Sequence, residues 1–298
     1  MSKTLATLLG FGAVLLWALL ALFTAASGQV PPFQLAAMSF ALGGLVGAAS
    51  WIWRPRAARA LRQAWPVWVI GIGGLFGYHF LYFSALRAAP PVEASLIAYL
   101  WPLLIVVFSA LLPGERLRWH HVLGSVLGFL GAGMIVTGGA GLSLEADSAL
   151  GYGLALAAAL VWSSYSLASR RLAAVPTDVV TGFCLVTACL AALCHLLWEQ
   201  TVWPVGLTQW LAVAGLGLGP VGLAFFLWDL GVKRGDIQVL GAASYCAPLL
   251  STLLLVALGF SPLTWTLALA CLLITVGALV AARELLGNLG RARQDAAS

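Results

Sequence analysis

The sequence predicts an all-α polytopic membrane protein whose ten transmembrane helices form two inverted five-helix repeats. Its composition, a duplicated tyrosine–proline motif and the placement of its basic residues predict this fold. Of its 298 residues, 62% are hydrophobic and 8% charged, where a soluble domain would carry about a quarter charged. The mean hydropathy is +1.00. A net charge of +5 does not point to nucleic acid, because the basic residues lie between apolar runs and not along one amphipathic face.

Apolar segments and their punctuation place helices at roughly 5–26, 33–53, 66–86, 92–112, 120–139, 148–169, 177–198, 207–230, 237–258 and 263–283. The first follows Lys3 and resembles a signal peptide, but its apolar region exceeds the usual ~7–15 residues and it has a counterpart in the second half. The fourth is interrupted at Tyr99, Trp101 and Pro102. Proline has no N–H to donate and its ring strains against the carbonyl four residues back, so Pro102 is expected to free the Ala98 carbonyl near the bilayer midplane. The ninth helix repeats the device 146 residues later, where Ser244-Tyr245-Cys246-Ala247-Pro248-Leu249-Leu250 matches the Tyr-x-x-Pro-Leu-Leu of the fourth. Pro248 is expected to free the Ser244 carbonyl. Gly131-Ala132 and Gly277-Ala278, and Tyr82 and Trp228, pair at the same offset, which marks two halves of one duplicated unit.

With a cytoplasmic amino terminus, fourteen of the fifteen Lys and Arg fall in inside segments: Lys3, the 54–62 loop, Arg116, Arg118, Arg170, Arg171, Lys233, Arg234, Arg283, Arg291 and Arg293. Only Arg87 lies outside. Five helices per half is an odd number, so the second half is upside down relative to the first. The expected units are 1–140, 148–285 and a short cytoplasmic tail at 286–298, with both termini cytoplasmic. The join at 138–148 is too short for a soluble domain.

These features resemble the drug/metabolite transporter superfamily, ten-helix inner-membrane carriers built of two EamA-type halves. The resemblance covers nearly the whole chain and is most specific from Pro102 to the helix end at Gly114-Glu115-Arg116-Leu117. Within that superfamily, Ala98-Tyr99-Leu100-Trp101-Pro102 is similar to the YddG-type aromatic amino acid exporters. The second half departs from the pattern: its ninth helix ends in Gly259-Phe260-Ser261-Pro262, with no Gly-Glu pair. The resemblance implies amino acid export across a bacterial inner membrane.

Candidate substrate-binding residues follow from depth and helical phase. Tyr78, His79 and Tyr82 share an arc of about 100° on the third helix, and an ionisable group at His79's depth is costly unless it meets a partner or a watered cavity. His79 is expected to act as a neutral imidazole. Tyr99, Ser244 and Tyr245 flank the two prolines, which are themselves expected hinges, Pro102 and Pro248. Trp17 and Trp162 lie mid-span, away from the belts that tryptophans usually occupy. Trp162, Tyr165, Ser166 and Ser169 form a stripe that either packs or lines a polar path. Trp101 joins the set only if a kink offsets the ~160° that separates it from Tyr99 on a straight helix.

Other residues read as structural. Trp228 is expected to anchor at the interface, Asp229 to snorkel there with Lys233, and Glu115 to cap a loop beside Arg116 and Arg118. All five cysteines lie in apolar segments without metal-ligand spacing, so no cofactor or metal is implied. No Gly-x-Ser-x-Gly or paired acids support an intramembrane hydrolase, and an enzyme is not expected.

The expected function is export of aromatic and other neutral amino acids, with broad selectivity, by alternating access around a midplane cavity. Its partners are the amino acid and the bilayer, and the protein is expected to be a monomer or weak oligomer. The alternative is a multidrug or quaternary-ammonium exporter that binds cations on aromatic faces.

Overall fold

A computed structural model describes residues 1–141, 144–257 and 262–284. Its regular elements are helices, with no strand among the described residues. Among these residues nine helices are long and apolar enough to cross a membrane: α1 (Lys3–Ala26), α2 (Pro32–Ile52), α3 (Trp65–Ala88), α4 (Pro91–Leu111), α5 (Trp119–Thr137), α6 (Ala146–Arg171), α7 (Thr177–Trp198), α8 (Gly206–Arg234) and α9 (Ile237–Ala257). A shorter apolar helix, α10 (Trp265–Ala281), follows. The sequence-derived bounds agree within a few residues. The largest gap is at α8, which continues through Asp229 and Lys233 to Arg234. The expected ninth-helix end at 258, the Gly259-Phe260-Ser261 stretch, Leu142 and Ser143 of the join, and the 286–298 tail lie outside the described residues.

Five helices are interrupted. α1 slackens between Trp17 and Leu20. α3 and α8 each contain a wide π turn, at Gly73–Gly77 and Gly219–Leu223, again 146 residues apart. α4 breaks at Tyr99 and Leu100, and α9 at Ser244 and Tyr245, just before their prolines.

The two proline breaks are closed differently. In α4 the Leu103 N–H would ordinarily bond the Tyr99 carbonyl. The Tyr245 hydroxyl of α9 stands between them, accepting from the Leu103 N–H at 3.2 Å and donating to the Tyr99 carbonyl at 3.1 Å. In α9 the Ala247 N–H bonds the Ser244 carbonyl at 3.1 Å. The expected free carbonyl at Ser244 is therefore absent, because the chain tightens into a three-residue turn that supplies a donor ahead of the proline.

Close helix contacts are made where glycine removes the side chain. α5 and α10 touch backbone to backbone: a Cβ on Gly277 would stand 2.6 Å from the Gly124 carbonyl oxygen, and one on Gly124 2.5 Å from the Gly277 carbonyl. Between helices in lipid such small-residue contacts carry the packing. Gly277→Val is expected to cost about 1–3 kcal/mol through overpacking, whereas Gly153→Ala, which meets nothing within 4 Å in the interior of α6, should not lower stability. Thermal unfolding of the two variants in one detergent checks this.

Candidate functional site

A cavity of about 780 Å³ lies between α1, α2, α3, α4, α6, α8 and α9. It extends toward the end of the bundle that carries the α1–α2 turn, where Leu20, Ala21, Thr24, Ala25, Val30 and Leu255 line it. One wall is set by the π turn of α3, which adds a residue to the helix and re-aims the side chains that follow. Tyr78, His79 and Tyr82 line the cavity there. The Tyr78 and Tyr82 rings stack at 5.9 Å, and the Tyr82 hydroxyl lies 3.0 Å from the Ser95 hydroxyl. His79 Nδ1 is 2.7 Å from the Leu75 carbonyl. A carbonyl only accepts, so Nδ1 carries the proton and the neutral ring keeps Nε2 as an acceptor.

The α4 break brings both Tyr99 and Trp101 to the cavity, which a straight helix would not do. Trp162, Ser244 and Pro248 line it as well. The Ser244 hydroxyl is already used, donating to the Leu240 carbonyl at 2.7 Å. The expected hinge Pro102 and one expected substrate-binding residue, Tyr245, are not brought there. Pro102 is buried in the contact between α4 and Gly241. Tyr245 is fully buried, drawn off by its two bonds to the α4 break and by its ring, which lies over Gly128 and Phe129.

The floor is a quartet of indoles. Trp17, Trp101 and Trp162 form its upper face and Trp228 sits beneath, with all six centroid separations between 5.1 and 6.3 Å. Two of the N–H groups are satisfied: Trp17 donates to the Pro220 carbonyl in the α8 π turn and Trp228 to the Ser166 hydroxyl, each at 3.1 Å. Trp228 is thus an internal member of the floor and not an interfacial anchor, because α8 runs past it to Arg234. Ser166 donates onward to the Trp162 carbonyl, so its hydroxyl holds the floor together and lines no path.

Charged groups seal the bundle below the floor. Asp229 and Lys233 pair at 2.8 Å and are only 1% and 6% exposed, so they do not snorkel. The connection between α6 and α7 folds over them: the Thr177 hydroxyl donates to Asp229 at 2.7 Å and Lys233 donates to the Val175 carbonyl at 2.9 Å. Arg170 closes the end of α8, donating to the carbonyls of Val232, Lys233 and Gly235, and pairs with Glu115 at 2.5 Å. Glu115 therefore ties the α4–α5 connection to α6 and does not cap its own loop. At the same end Asp236 caps α9 and pairs with Lys3 at 2.9 Å. Burial alone would raise the Asp236 carboxyl, but the bond and charge of Lys3 outweigh it and hold it below the usual carboxylate range.

The sequence pattern of the EamA-like transporter family matches residues 4–137 and 149–283, one match per half. The chain belongs to the EamA-like transporter family. It is 59% identical to the aromatic amino acid exporter YddG of Ancylobacter novellus over 284 residues, covering 94% of this chain and 98% of that protein. The protein of the same name from Escherichia coli K12 is 26% identical over 294 residues, covering 94% and 97%. A crystal structure 58% identical in sequence superposes with a TM-score of 0.89 over 94% of this chain and 98% of that one.

Sequence reasoning missed one cluster in this EamA-family transporter. At the open end the nearly buried Glu199 accepts from the first N–H groups of α2, Phe33 and Gln34, each at 3.1 Å. It also pairs with Arg87 at 2.7 Å and lies 3.1 Å from His195 Nδ1. Glu199 lies just beyond a helix end, and only the fold brings the start of α2 and the end of α3 to it.

The buried pair at the closed end yields a test. Asp229→Asn leaves the Lys233 ammonium buried without a counter-charge and is expected to cost about 3–5 kcal/mol, while Asp229→Asn with Lys233→Met removes both charges and costs far less. Equal melting temperatures for the two variants would contradict the buried-pair reading.

Proposed function

We propose that this transporter exports neutral amino acids, aromatic ones among them and with broad selectivity, across the bacterial inner membrane by alternating access. The carrying observation is the cavity lining: its described residues include no Asp, Glu, Lys or Arg, while aromatic rings and a few hydroxyls face the space. A site of this size accepts a small molecule. A net-neutral zwitterion suits it, because an anion of two charges or a lipophilic cation would call for a fixed counter-charge at this depth. The name carried by the Ancylobacter novellus relative at 59% identity supports the same substrate class.

His79 Nε2 accepts from the substrate ammonium, the Tyr78 and Tyr99 hydroxyls donate to its carboxylate, and the indole floor stacks on its side chain. Pro102 and Pro248 act as hinges, and the two units are 1–140 and 148–285 in opposite orientations, followed by the 286–298 tail. α10, with 17 residues, reaches about 26 Å at 1.5 Å per residue and spans a slightly thinned bilayer as the tenth crossing. Lys3, Arg118, Arg170 and Lys233 mark the closed end and Arg87 the open one. The positive-inside rule then sets the closed end and both termini in the cytoplasm and opens the cavity to the periplasm.

Counterflow in proteoliposomes tests the proposal. Phenylalanine, tryptophan and several smaller neutral amino acids are expected to exchange, and a sugar phosphate is not. His79→Ala should lose most of the rate, while His79→Gln, which keeps an acceptor at similar reach, retains a measurable part. Sugar phosphate exchange at the amino acid rate would overturn the charge argument, and an active periplasmic reporter fused after Ser298 would overturn the orientation.

A further inference from the structure

The two broken helices hold each other unequally. On the closed side Gly241 of α9 packs against α4, where a Cβ would stand 3.1 Å from the Pro102 carbonyl oxygen and 2.8 Å from the Val106 side chain. Moved by the 146-residue repeat offset, this contact becomes Ser95 against Pro248 and Thr252. Those three residues do not close on one another here; each lines the cavity. The tyrosines show the same inequality. Tyr245 stands in the α4 gap between the Tyr99 carbonyl and the Leu103 N–H. Its repeat mate Tyr99, which would correspondingly stand between the Tyr245 carbonyl and the Leu249 N–H, lines the cavity instead.

We infer that the two tyrosine hydroxyls exchange the bridging role as the transporter turns over. With the cavity open to the outside, Tyr245 bridges the break in α4. When the outer side closes, Ser95 packs on Pro248 as Gly241 now packs on Pro102, Tyr99 leaves the cavity wall and bridges the break in α9, and Tyr245 lets go. The inference rests on the alternating-access reading above. Its physical basis is that a phenol both accepts and donates, so a single hydroxyl satisfies the N–H and the carbonyl that a break exposes. An unsatisfied backbone group in the membrane interior is costly, and an exchange of this kind bridges one break in each end state. The side chains also fit the roles: Ser95 is small enough to approach a backbone as Gly241 does. Tyr99 and Tyr245 are thus positioning residues for the conformational step, and Tyr99 has a second role in the cavity.

A cross-link across the cavity mouth reads the outer-closed population. In a chain whose five native cysteines are replaced by alanine, Ser95→Cys and Thr252→Cys are oxidised in native membranes, and disulfide formation is timed. Tyr245→Phe weakens the outward-open state and is expected to speed the cross-link by about threefold to tenfold, the worth of one or two buried hydrogen bonds. Tyr99→Phe weakens the opposite state and slows it by a similar factor, and the two together return the rate toward that of the parent. Loss of packing alone would lower the melting temperature of Tyr245→Phe without producing opposite signs. Shifts in the same direction, or none, while counterflow persists would overturn the exchange and leave the transport reading standing. If Tyr245→Phe does not accumulate, Tyr99→Phe decides alone: slower cross-linking supports the exchange, and unchanged or faster cross-linking overturns it. Loss of amino acid counterflow in the unmodified protein would instead overturn the transport reading and the exchange with it.

Discussion

Inside a bilayer a helix can be interrupted only where its freed backbone groups find partners within the protein or in a water-filled cavity, and in α4 the partner is the Tyr245 hydroxyl. By bonding both the Leu103 N–H and the Tyr99 carbonyl, it holds open a turn that would otherwise close into regular helix or expose two polar groups to hydrocarbon. The consequences spread outward from there. The break turns Tyr99 and Trp101 to the same space, Trp101 meets Trp17, Trp162 and Trp228, and the quartet becomes the floor of the cavity. The α8 π turn contributes in parallel, since its Pro220 carbonyl receives the Trp17 N–H.

The two ends of the bundle are built from different interactions, and among the described residues the cavity lining reaches the end of the α1–α2 turn. Beneath the floor, ion pairs and helix-end carbonyls are folded under the α6–α7 connection, where Asp229 holds Lys233 and Thr177 and Arg170 takes up the carbonyls at the end of α8. Buried pairs of this kind resist separation of their partners more than they add stability. At the other end Glu199 gathers α2, α3 and α7 around the rim and leaves the space between α4 and α9 clear.

Much of this was legible in the chain. The helices, the 146-residue repeat and the two proline breaks follow from apolar length, self-similarity and the missing proline N–H. The third-helix triad of Tyr78, His79 and Tyr82 follows from helical phase and depth, and these residues do line the cavity. What the sequence hid depends on contacts between distant segments. The Ser244 carbonyl is satisfied by a local turn, Tyr245 is claimed by another helix, and Trp228 looked peripheral because the true end of α8 lies further on. Asp229 and Lys233 read as an i, i+4 surface pair, since nothing in their own helix reveals that the α6–α7 connection covers them. Repeat symmetry also misled: it gives Tyr99 and Tyr245 the same role, whereas here Tyr245 bridges the α4 break and Tyr99 lines the cavity.

The central claim is that the cavity above the indole floor is where substrate binds. A crystal of the protein grown with 4-iodophenylalanine tests it directly, because the anomalous signal of iodine locates the side chain without interpretation of weak density. The account predicts one peak against Trp17, Trp101 and Trp162, with the ligand head group toward Tyr78 and His79. A peak confined to the lipid-facing surface, or to the rim around Glu199, would contradict it.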